Sequence, residues 1–213
     1  MIPALNEAET IGQVVQGVAY AGEVIVVDDG STDQTATLAK EAGAIVIQHL
    51  QCKGYDRAIN SGLEFARQQK IDAVITFDAD GQHDPSALRE ILDLLEFEQC
   101  DLVIGIRSRS ARFSEYLFNK YVLYRFGVKD ILCGLKGYRL SKFSSFQLER
   151  NVGSIGTKMA LDGLRRRLKT CSVSVQISSR DGKSRVGSLL RANYRIGHAL
   201  VGAVFDDLLR KPY

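Results

Sequence analysis

No stretch of the 213-residue sequence contains the roughly 18 to 20 apolar residues that a membrane-spanning helix requires. The best candidate, Ile196–Phe205, is short and contains His198. The first residues also lack the basic, then apolar, then small-residue order of a secretory signal, because Met1–Pro3 runs directly into a polar stretch that begins at Asn6. We therefore predict a cytoplasmic protein without a transmembrane segment.

Cysteine is scarce, and internal repeats and low-complexity segments are absent. The four cysteines lie far apart and form no Cys-x-x-Cys motif, which favours reduced thiols: Cys52, Cys100, Cys133 and Cys171. With 45% apolar and 25% charged residues, the composition excludes disordered, collagen-like and disulfide-scaffold proteins. The length predicts one domain with a single core.

The formal net charge of +3 hides two halves of opposite sign. Residues 1–100 carry 6 lysines and arginines against 17 acidic residues, a net charge of −11. Residues 101–213 carry 22 against 8, a net charge of +14. An acidic half can hold a divalent cation, and a basic half can hold phosphates, nucleic acid or an anionic membrane surface. Two complementary solvated faces would give the same pattern.

Short, uniformly apolar runs alternate with helix-like segments up to Ile106. The runs are typical of buried parallel strands and lie at 23–27, 44–47, 73–77 and 101–106. The helix-like segments lie at 7–18, 33–41, 55–69 and 85–96. This alternation predicts an α/β fold with an open, mostly parallel sheet and flanking helices. The first strand is abnormal, because only Met1 and Ile2 precede Pro3, so it is a stub or the chain start is trimmed.

Beyond Ile106 the sequence predicts a helix rich in aromatic residues at 112–128 and a long terminal helix at 188–210. A strand-like piece at 134–140, a helix at 157–168 and a strand at 171–177 lie between them. The aromatic segment and the apolar stripe of the terminal helix stand beside basic residues, as in helices that lie on membrane surfaces. Peripheral membrane binding is therefore our hypothesis, and packing of the stripe on the domain is the alternative.

In doubly wound sheets, ligands bind at the carboxyl ends of the strands. Asp28 and Asp29 follow the run at 23–27, where a carboxylate can accept hydrogen bonds from a nucleobase or a ribose. A turn followed by a capped helix would explain Ser31–Asp33 but not the paired Asp28 and Asp29. We therefore predict a nucleotide-binding role for this pair.

Three oxygen-bearing side chains follow the run at 73–77. Alternate residues of an extended chain share a face, so Asp78, Asp80 and Gln82 can point to one side. Such oxygens suit Mg²⁺ or Mn²⁺, and two carboxylates this close repel each other without a cation. A loop of polar capping residues is the alternative, and Asp84 would cap the next helix.

The basic half places arginines after two further strands. Arg107 follows the run at 101–106, and a glycine-containing basic loop, Arg180–Arg185, follows the strand at 171–177. The planar guanidinium fork matches phosphate oxygens, and a glycine lets the backbone approach them. Both places are candidate phosphate sites.

Taken in order, these motifs resemble the family 2 glycosyltransferases of the GT-A fold, and within them the dolichyl- and polyprenyl-phosphate sugar synthases. The resemblance covers about residues 2–185 and rests on seven segments: Ile2–Glu7, Val26–Asp33, Gly54–Gly62, Phe77–His83, Gly105–Arg107, Asp130–Arg139 and Arg180–Arg185. A lone Asp-x-Asp is weak evidence, whereas seven motifs in order are specific. The resemblance implies a nucleotide-diphospho-sugar transferase fold with a Rossmann-like sheet.

The resemblance also implies site residues. Nucleotide contacts would come from Pro3, Leu5, Glu7, Asp29, Asp78 and Arg180. The metal ligands would be Asp78, Asp80 and Gln82, and the acceptor phosphate would meet Arg107, Ser184 and Arg185. The catalytic groups would be Asp80, Arg107 and Arg180. The single domain would divide into a nucleotide- and metal-binding half at 1–106, an acceptor half at 107–185 and a C-terminal amphipathic helix at 186–213.

The implied reaction is attack by an acceptor on the anomeric carbon of a GDP- or UDP-sugar, with inversion. The metal and the arginines would stabilise the leaving nucleoside diphosphate. A phosphate acceptor needs no general base, whereas a hydroxyl acceptor does. Lys158 stands where relatives often place a carboxylate, and Asp162 is the nearest acid. We therefore favour a polyprenyl or dolichyl phosphate acceptor, reached at the inner face of the membrane, over a saccharide hydroxyl.

Two other classes compete with a transferase. An Asp-based phosphatase could use Asp78 and Asp80, but that chemistry usually has Thr or Ser after the glycine, where this sequence has Gln82, and places its motif near the chain start. A non-catalytic nucleotide or polyanion binder would fit the short first strand and Lys158. Nucleic acid is excluded as a partner because no recognition module interleaves basic and aromatic residues. The sequence leaves open the sugar, the base, the acceptor and the oligomeric state.

Overall fold

A computed structural model of the chain describes residues 1–81, 84–108, 113–144, 155–176 and 189–209. Its strands are β1 Ile2–Ala4, β2 Ile25–Asp28, β3 Ile45–Gln48, β4 Ala73–Thr76, β5 Leu102–Arg107, β6 Lys136–Arg139 and β7 Thr170–Val175. Its α-helices are α1 Ile11–Val18, α2 Thr35–Glu41, α3 Tyr55–Gln68, α4 Ser86–Glu96, α5 Phe113–Phe126, α6 Ile155–Arg165 and α7 Leu189–Leu209.

The strands form two sheets that meet at Met1. One sheet has the order β1-β2-β3 and is parallel, and the other has the order β4-β6-β5-β7. In the second sheet β6 is antiparallel to β4 and β5, and β7 is parallel to β5. The Met1 nitrogen donates to the Ile75 carbonyl at 2.8 Å, and the Phe77 N–H donates to the Met1 carbonyl at 3.0 Å. This parallel pattern places β1 beside β4, so β6 alone among the described strands runs in the opposite direction.

Helices cover both faces of this sheet. Strand residues alternate between the two faces, and Val103 packs with the α1 and α4 side chains while its neighbours Leu102 and Ile104 pack with those of α3, α5 and α6. In α4 the buried residues recur at helical spacing, Ala87, Leu88, Ile91 and Leu95. Each fully buried side chain of this kind contributes roughly 1.5 to 3 kcal/mol. The predicted α/β architecture with flanking helices is confirmed.

The predicted elements are all present within the described residues, with bounds shifted by a few positions. The largest shift is in the first helix, which begins at Ile11 because Glu7–Thr10 forms a turn, with the Ile11 N–H donating to the Glu7 carbonyl at 2.9 Å. The first strand is short, as expected, since β1 has three residues, and both explanations of its shortness stay predictions. The division at 106 and 185 stays a prediction.

The expectation of four reduced cysteines is wrong for one pair. Cys100 precedes β5 and Cys171 lies in β7, and the structure joins them in a disulfide with a Cα–Cα distance of 6.0 Å. These residues are 71 positions apart, so the sequence spacing gave no sign of the pairing. Cys52 and Cys133 are free.

Candidate active site

Loops that follow the parallel strands meet at one edge of the sheet. The Asp29 N–H after β2 donates to the Ala4 carbonyl of β1 at 2.8 Å. The Thr10 hydroxyl before α1 donates to the Ala79 carbonyl after β4 at 2.8 Å, and the Asp84 N–H donates to the Gln176 carbonyl after β7 at 3.3 Å. The segments that follow β1, β2 and β4 and the end of β7 are therefore brought together here, as expected for parallel strands.

The loop after β1 binds the motif that follows β2. Asn6 donates its N–H to the Ser31 hydroxyl at 2.8 Å and accepts from the Thr32 N–H at 2.8 Å. The Glu7 N–H donates to the Thr35 hydroxyl at 2.8 Å. Pro3 lies in β1 opposite Val27, so the predicted nucleotide residues Pro3, Leu5 and Glu7 border the end of β2.

Asp28 is completely buried at the end of β2. Its Oδ1 accepts hydrogen bonds from the N–H and the hydroxyl of Ser31. Its Oδ2 has no hydrogen-bond partner among the described residues. A buried carboxylate oxygen without a donor is costly, and a ligand that supplies a donor would relieve that cost.

Asp29 is engaged by the loop that leads from β3 to α3. Its Oδ1 lies 2.7 Å from His49 Nδ1 and accepts from the Lys53 N–H at 2.9 Å. Its Oδ2 accepts from the Gly54 N–H at 2.7 Å and from the Cys52 thiol at 3.2 Å. Burial raises the pKa of Asp29, but these hydrogen bonds outweigh it and hold the pKa below its usual value. Asp29 therefore organises this loop, and a direct nucleotide contact from it stays a prediction.

His49 and Ser61 are site residues that the sequence analysis missed. The buried His49 places its Nε2 2.9 Å from the Ser61 hydroxyl of α3. Gly30 permits the close approach of the same loop, since a Cβ at Gly30 would meet the Cys52 nitrogen at 2.6 Å. The only sequence sign of His49 is that it directly follows β3, as Asp29 follows β2.

Asp78 lies where β4, α3 and the segment before β6 meet. The Asp78 carboxylate lies near the Tyr55 hydroxyl of α3: burial, and after it the charge of Asp78, raises the pKa of Tyr55 well above its usual value. A Cβ at Gly134 would lie 2.8 Å from the Asp78 Cγ, so the absence of a side chain there makes room for the carboxylate. The Thr76 hydroxyl donates to the Gly134 carbonyl at 2.7 Å, which joins the two segments.

Asp78 and Asp80 flank the anchored Ala79 and supply two carboxylates on one short segment. No group of three or more His, Cys, Asp or Glu side chains within the described ranges is arranged to hold a metal ion. Two carboxylates nevertheless fit Mg²⁺ or Mn²⁺, which are commonly held by one or two carboxylates together with substrate phosphates. The predicted ligand Gln82 lies outside the described residues.

Arg107 is held by two acids at the end of β5. Its Nε donates to Asp130 Oδ2 at 2.7 Å, and its Nη2 donates to Asp130 Oδ1 at 3.0 Å and to Glu115 Oε2 at 3.1 Å. Burial lowers the pKa of Arg107, but the pairing with Asp130 and Glu115 outweighs it and raises the pKa above its usual value. Among the described residues Nη1 has no hydrogen-bond partner. Neither Glu115 nor the role of Asp130 was predicted from the sequence.

A second buried cation, Lys136, lies at the start of β6. Its ammonium donates to the Cys133 carbonyl. Burial lowers the pKa of Lys136, against the opposing influence of Cys133, Asp130 and Asp78. Positive charge thus lies close to the Asp78 carboxylate.

The remaining predicted residues are separated from this site or cannot be located. Asp162 pairs with Arg166 at 3.2 Å, and Arg166 also donates to the Lys142 carbonyl beyond the carboxyl end of the antiparallel β6, away from Asp78. Arg180, Ser184 and Arg185 lie outside the described residues. A cavity of about 940 Å³ lies at the opposite edge of the sheet, where Val24, Ala73 and Leu88 contribute to its lining, and is not the predicted nucleotide site.

The sequence model of the family described as Glycosyl transferase family 2 matches residues 1–146. The chain belongs to this family. Glycosyltransferase AglJ of Haloferax volcanii is 32% identical over 187 residues, with 81% of this chain and 60% of that protein covered. The UDP-N-acetylglucosamine–dolichyl-phosphate N-acetylglucosaminyltransferase of Methanococcus voltae is 29% identical over 202 residues, with 85% of this chain and 79% of that protein covered.

Solved structures agree with the predicted GT-A fold. The glucosyl-3-phosphoglycerate synthase of Mycobacterium tuberculosis, crystallised with Mn²⁺, UDP and glucosyl-3-phosphoglycerate, superposes with a TM-score of 0.72 at 19% identity, covering 96% of this chain and 77% of that one. The fold prediction is thus confirmed. Family membership argues against the phosphatase alternative. The chain spans 45% of the length of the Methanocaldococcus jannaschii protein MJ1222, which is 38% identical over 109 residues, and less than two thirds of AglJ.

Proposed function

We propose that the chain catalyses metal-dependent transfer of a sugar, with inversion, from a GDP- or UDP-sugar to a polyprenyl or dolichyl phosphate. The observation that carries the acceptor assignment is Arg107, whose guanidinium lies between Asp130 and Glu115 and whose Nη1 has no hydrogen-bond partner among the described residues. The Methanococcus voltae relative is named as an enzyme that transfers a sugar from a UDP-sugar to dolichyl phosphate. This name supports the same substrate classes here.

Donor binding is assigned to the loop after β1 and to the end of β2. Pro3, Leu5 and Glu7 would border the nucleotide, and the unpaired Oδ2 of Asp28 would accept one hydrogen bond from the base or the ribose. Asp29 would act mainly by fixing the loop at 49–54. Arg180, predicted from the sequence, would contact the diphosphate.

Metal binding is assigned to Asp78 and Asp80, with Gln82 as the further ligand predicted from the sequence. The Thr10 hydroxyl fixes the intervening Ala79, and Gly134 leaves room for the Asp78 carboxylate. A divalent ion held there would offset the negative charge that develops on the departing nucleoside diphosphate. Asp80 is the ligand whose loss should abolish metal-dependent nucleotide binding.

Acceptor binding is assigned to Arg107, together with the predicted residues Ser184 and Arg185. Arginine binds phosphate through two N–H groups in one plane, and no residue in the described part of the chain takes the two hydrogens of Nη1. A phosphate oxygen is already anionic and attacks without a base. The position of Lys158 and the pairing of Asp162 with Arg166 support a phosphate acceptor over a saccharide hydroxyl.

A polyprenyl acceptor requires contact with a membrane. No helix in the described part of the chain has the length and apolar content needed to cross one. Helix α5 instead exposes Phe113, Tyr116, Leu117 and Tyr124, with Lys120 against the Tyr116 ring at 5.5 Å. Aromatic and basic groups on one exposed surface suit the headgroup region of an anionic bilayer. Peripheral membrane association through α5 is part of this proposal.

The donor half of the proposal is tested by thermal unfolding with UDP, GDP, CDP or ADP, each with Mn²⁺, Mg²⁺ or EDTA. A ligand at about 100 times its dissociation constant stabilises the folded state by roughly 2.7 kcal/mol. We expect one diphosphate to stabilise the protein only when metal is present, and Asp80→Asn to remove the effect. Stabilisation that EDTA leaves unchanged would contradict the metal assignment, and no response to any diphosphate would contradict the donor class.

A further inference from the structure

Helix α5 buries polar residues among its apolar ones and exposes several aromatic residues. Its buried residues include the polar Ser114, Glu115 and Asn119. Its exposed residues include Phe113, which is 72% exposed, and Tyr124, which is 92% exposed. A helix on the surface of a globular protein normally buries apolar residues and exposes polar ones. The inner polar face therefore has a purpose other than apolar packing.

This inner face is bonded to the pair formed by Arg107 and Asp130. Glu115 Oε2 accepts from Arg107 Nη2 at 3.1 Å. Asn119 Nδ2 donates to Asp130 Oδ1 at 3.1 Å, and Asn119 Oδ1 accepts from the Ile131 N–H at 3.1 Å. Asn119 thus fixes both the Asp130 carboxylate and the main chain next to it.

The cluster is buried, which makes its geometry rigid. Glu115 and Asp130 have side chains that are each 5% exposed, and the Arg107 side chain is 14% exposed. Buried ion pairs are expensive to desolvate, and apolar residues of similar volume would often be as stable or more so. Asp130 accepts from Nε and Nη2 of Arg107, and Glu115 accepts from Nη2 as well, so the plane of the guanidinium is fixed. Within the described ranges, Nη1 is the side-chain nitrogen without a hydrogen-bond partner.

We infer that Asn119 and Glu115 are positioning residues that hold Arg107 for the acceptor phosphate, Glu115 directly and Asn119 through Asp130. This inference rests on the proposed function, because it takes Arg107 as the phosphate-binding group. Helix α5 then connects two parts of one substrate site. Its outer face contacts the membrane that carries the acceptor, and its inner face orients Arg107, which binds the acceptor phosphate.

The test uses the full chain and farnesyl phosphate as a soluble probe, with farnesol as the matched probe without a phosphate. Dissociation constants are measured by isothermal titration calorimetry for the wild type, Asn119→Ala and Glu115→Gln. Loss of one charge-assisted hydrogen bond should weaken farnesyl phosphate binding by about tenfold and leave farnesol binding unchanged. Glu115→Asp keeps the charge and should recover part of the loss.

Val122→Ala is the control, because Val122 is fully buried on the same helix and its apolar side chain can form neither a hydrogen bond nor an ion pair with the Arg107 cluster. It should lower the unfolding temperature without changing the farnesyl phosphate affinity. Glu115→Gln is nearly isosteric, so it tests the inference even if Asn119→Ala fails to fold. Unchanged affinity in Glu115→Gln, or an equal loss in Val122→Ala, would overturn the positioning role.

Arg107→Ala separates this inference from the proposed function. If Arg107→Ala weakens binding while Glu115→Gln and Asn119→Ala do not, the acceptor assignment stands and the positioning role is wrong. If Arg107→Ala also binds farnesyl phosphate as the wild type does, the acceptor assignment itself is wrong. Stabilisation by UDP or GDP with Mn²⁺ should be the same in all of these variants.

Discussion

His49 Nδ1 lies 2.7 Å from Asp29 Oδ1, and the opposite ring nitrogen lies 2.9 Å from the Ser61 hydroxyl. One buried imidazole thus joins the end of β2, the end of β3 and helix α3. The loop at 49–54, which begins at His49, also donates two N–H groups to Asp29. The wall of the proposed nucleotide site is therefore fixed before any ligand binds.

Removal of the His49 imidazole should lower the free energy of unfolding. His49→Ala leaves the buried Asp29 with fewer donors, and an unsatisfied buried polar group costs roughly 1 to 3 kcal/mol. We expect the free energy of unfolding in urea to fall by about that amount, and less in Ser61→Ala. His198→Ala, at an exposed position on α7, is the control. Equal effects at positions 49 and 198 would show that the buried network contributes nothing.

The pKa of Asp29 and the pKa of Asp130 both lie below the usual value of 3.8 in the folded state. For Asp130, burial raises the pKa, but the hydrogen bonds and charge of Arg107 outweigh it. A group with a lowered folded-state pKa contributes stability above its unfolded-state pKa and loses it as the pH falls through the folded-state pKa. We therefore expect the free energy of unfolding to decline below about pH 4.

Asp29→Asn should flatten this decline when urea unfolding is measured between about pH 6 and about pH 3. Glu41→Gln, at an exposed position in α2, provides the control for loss of one acid. A wild-type curve and an Asp29→Asn curve that run parallel down to the lowest pH would contradict the assignment.

Gly134 should be intolerant of a side chain for a reason tied to the site. A Cβ at this position would collide with the Asp78 carboxylate. Gly134→Ala is therefore expected to displace Asp78 and to reduce metal-dependent stabilisation by the nucleoside diphosphate at least tenfold in apparent affinity, since metal sites depend on the groups that orient their ligands. Thermal shift titrations with Mn²⁺ would measure this.

Gly12→Ala is the matched control for this change, because nothing lies within 4 Å of its added Cβ. An alanine in a helix is more stable than a glycine by roughly 1 kcal/mol, so this variant should unfold at the same temperature or higher. If Gly134→Ala titrates as the wild type does, Asp78 is not a ligand in the geometry described.

The fold was largely predictable from the sequence, but the inner face of α5 was not. Uniform apolar runs such as 73–77 predict buried strands because both faces of a central strand are covered, and β4 confirms this. Helix α5 was predicted as an interfacial helix from its aromatics. Glu115 and Asn119 point inward because they bond to Arg107 and Asp130, which lie elsewhere in the sequence. No local periodicity contains that information.

The same reason explains the missed histidine and the wrong cysteine prediction. His49 has no motif around it, and its partners Asp29 and Ser61 come from different elements. Cys100 and Cys171 become neighbours only because β5 and β7 pair in parallel, with Val103 opposite Cys171. Residues that act through long-range contacts are visible only after the chain is folded.

The exposed aromatic face of α5 predicts binding to anionic vesicles. The double change Phe113→Ser and Tyr124→Ser removes two of its largest exposed apolar groups. We expect the wild type to float with anionic liposomes at low salt and the double variant to stay in solution. Phe97→Ser, at another exposed aromatic position that follows α4, should float as the wild type does. A wild type that fails to float would contradict membrane binding.

The most direct test of the account is sugar transfer from radiolabelled UDP-N-acetylglucosamine, UDP-glucose and GDP-mannose, in vesicles containing either a polyprenyl phosphate or the matching polyprenol. We expect transfer from one donor to the polyprenyl phosphate alone, dependent on Mn²⁺ or Mg²⁺ and lost in Asp80→Asn and Arg107→Ala. Transfer to the polyprenol or to a saccharide hydroxyl, with none to the phosphate, would contradict the proposed acceptor and the role of Arg107.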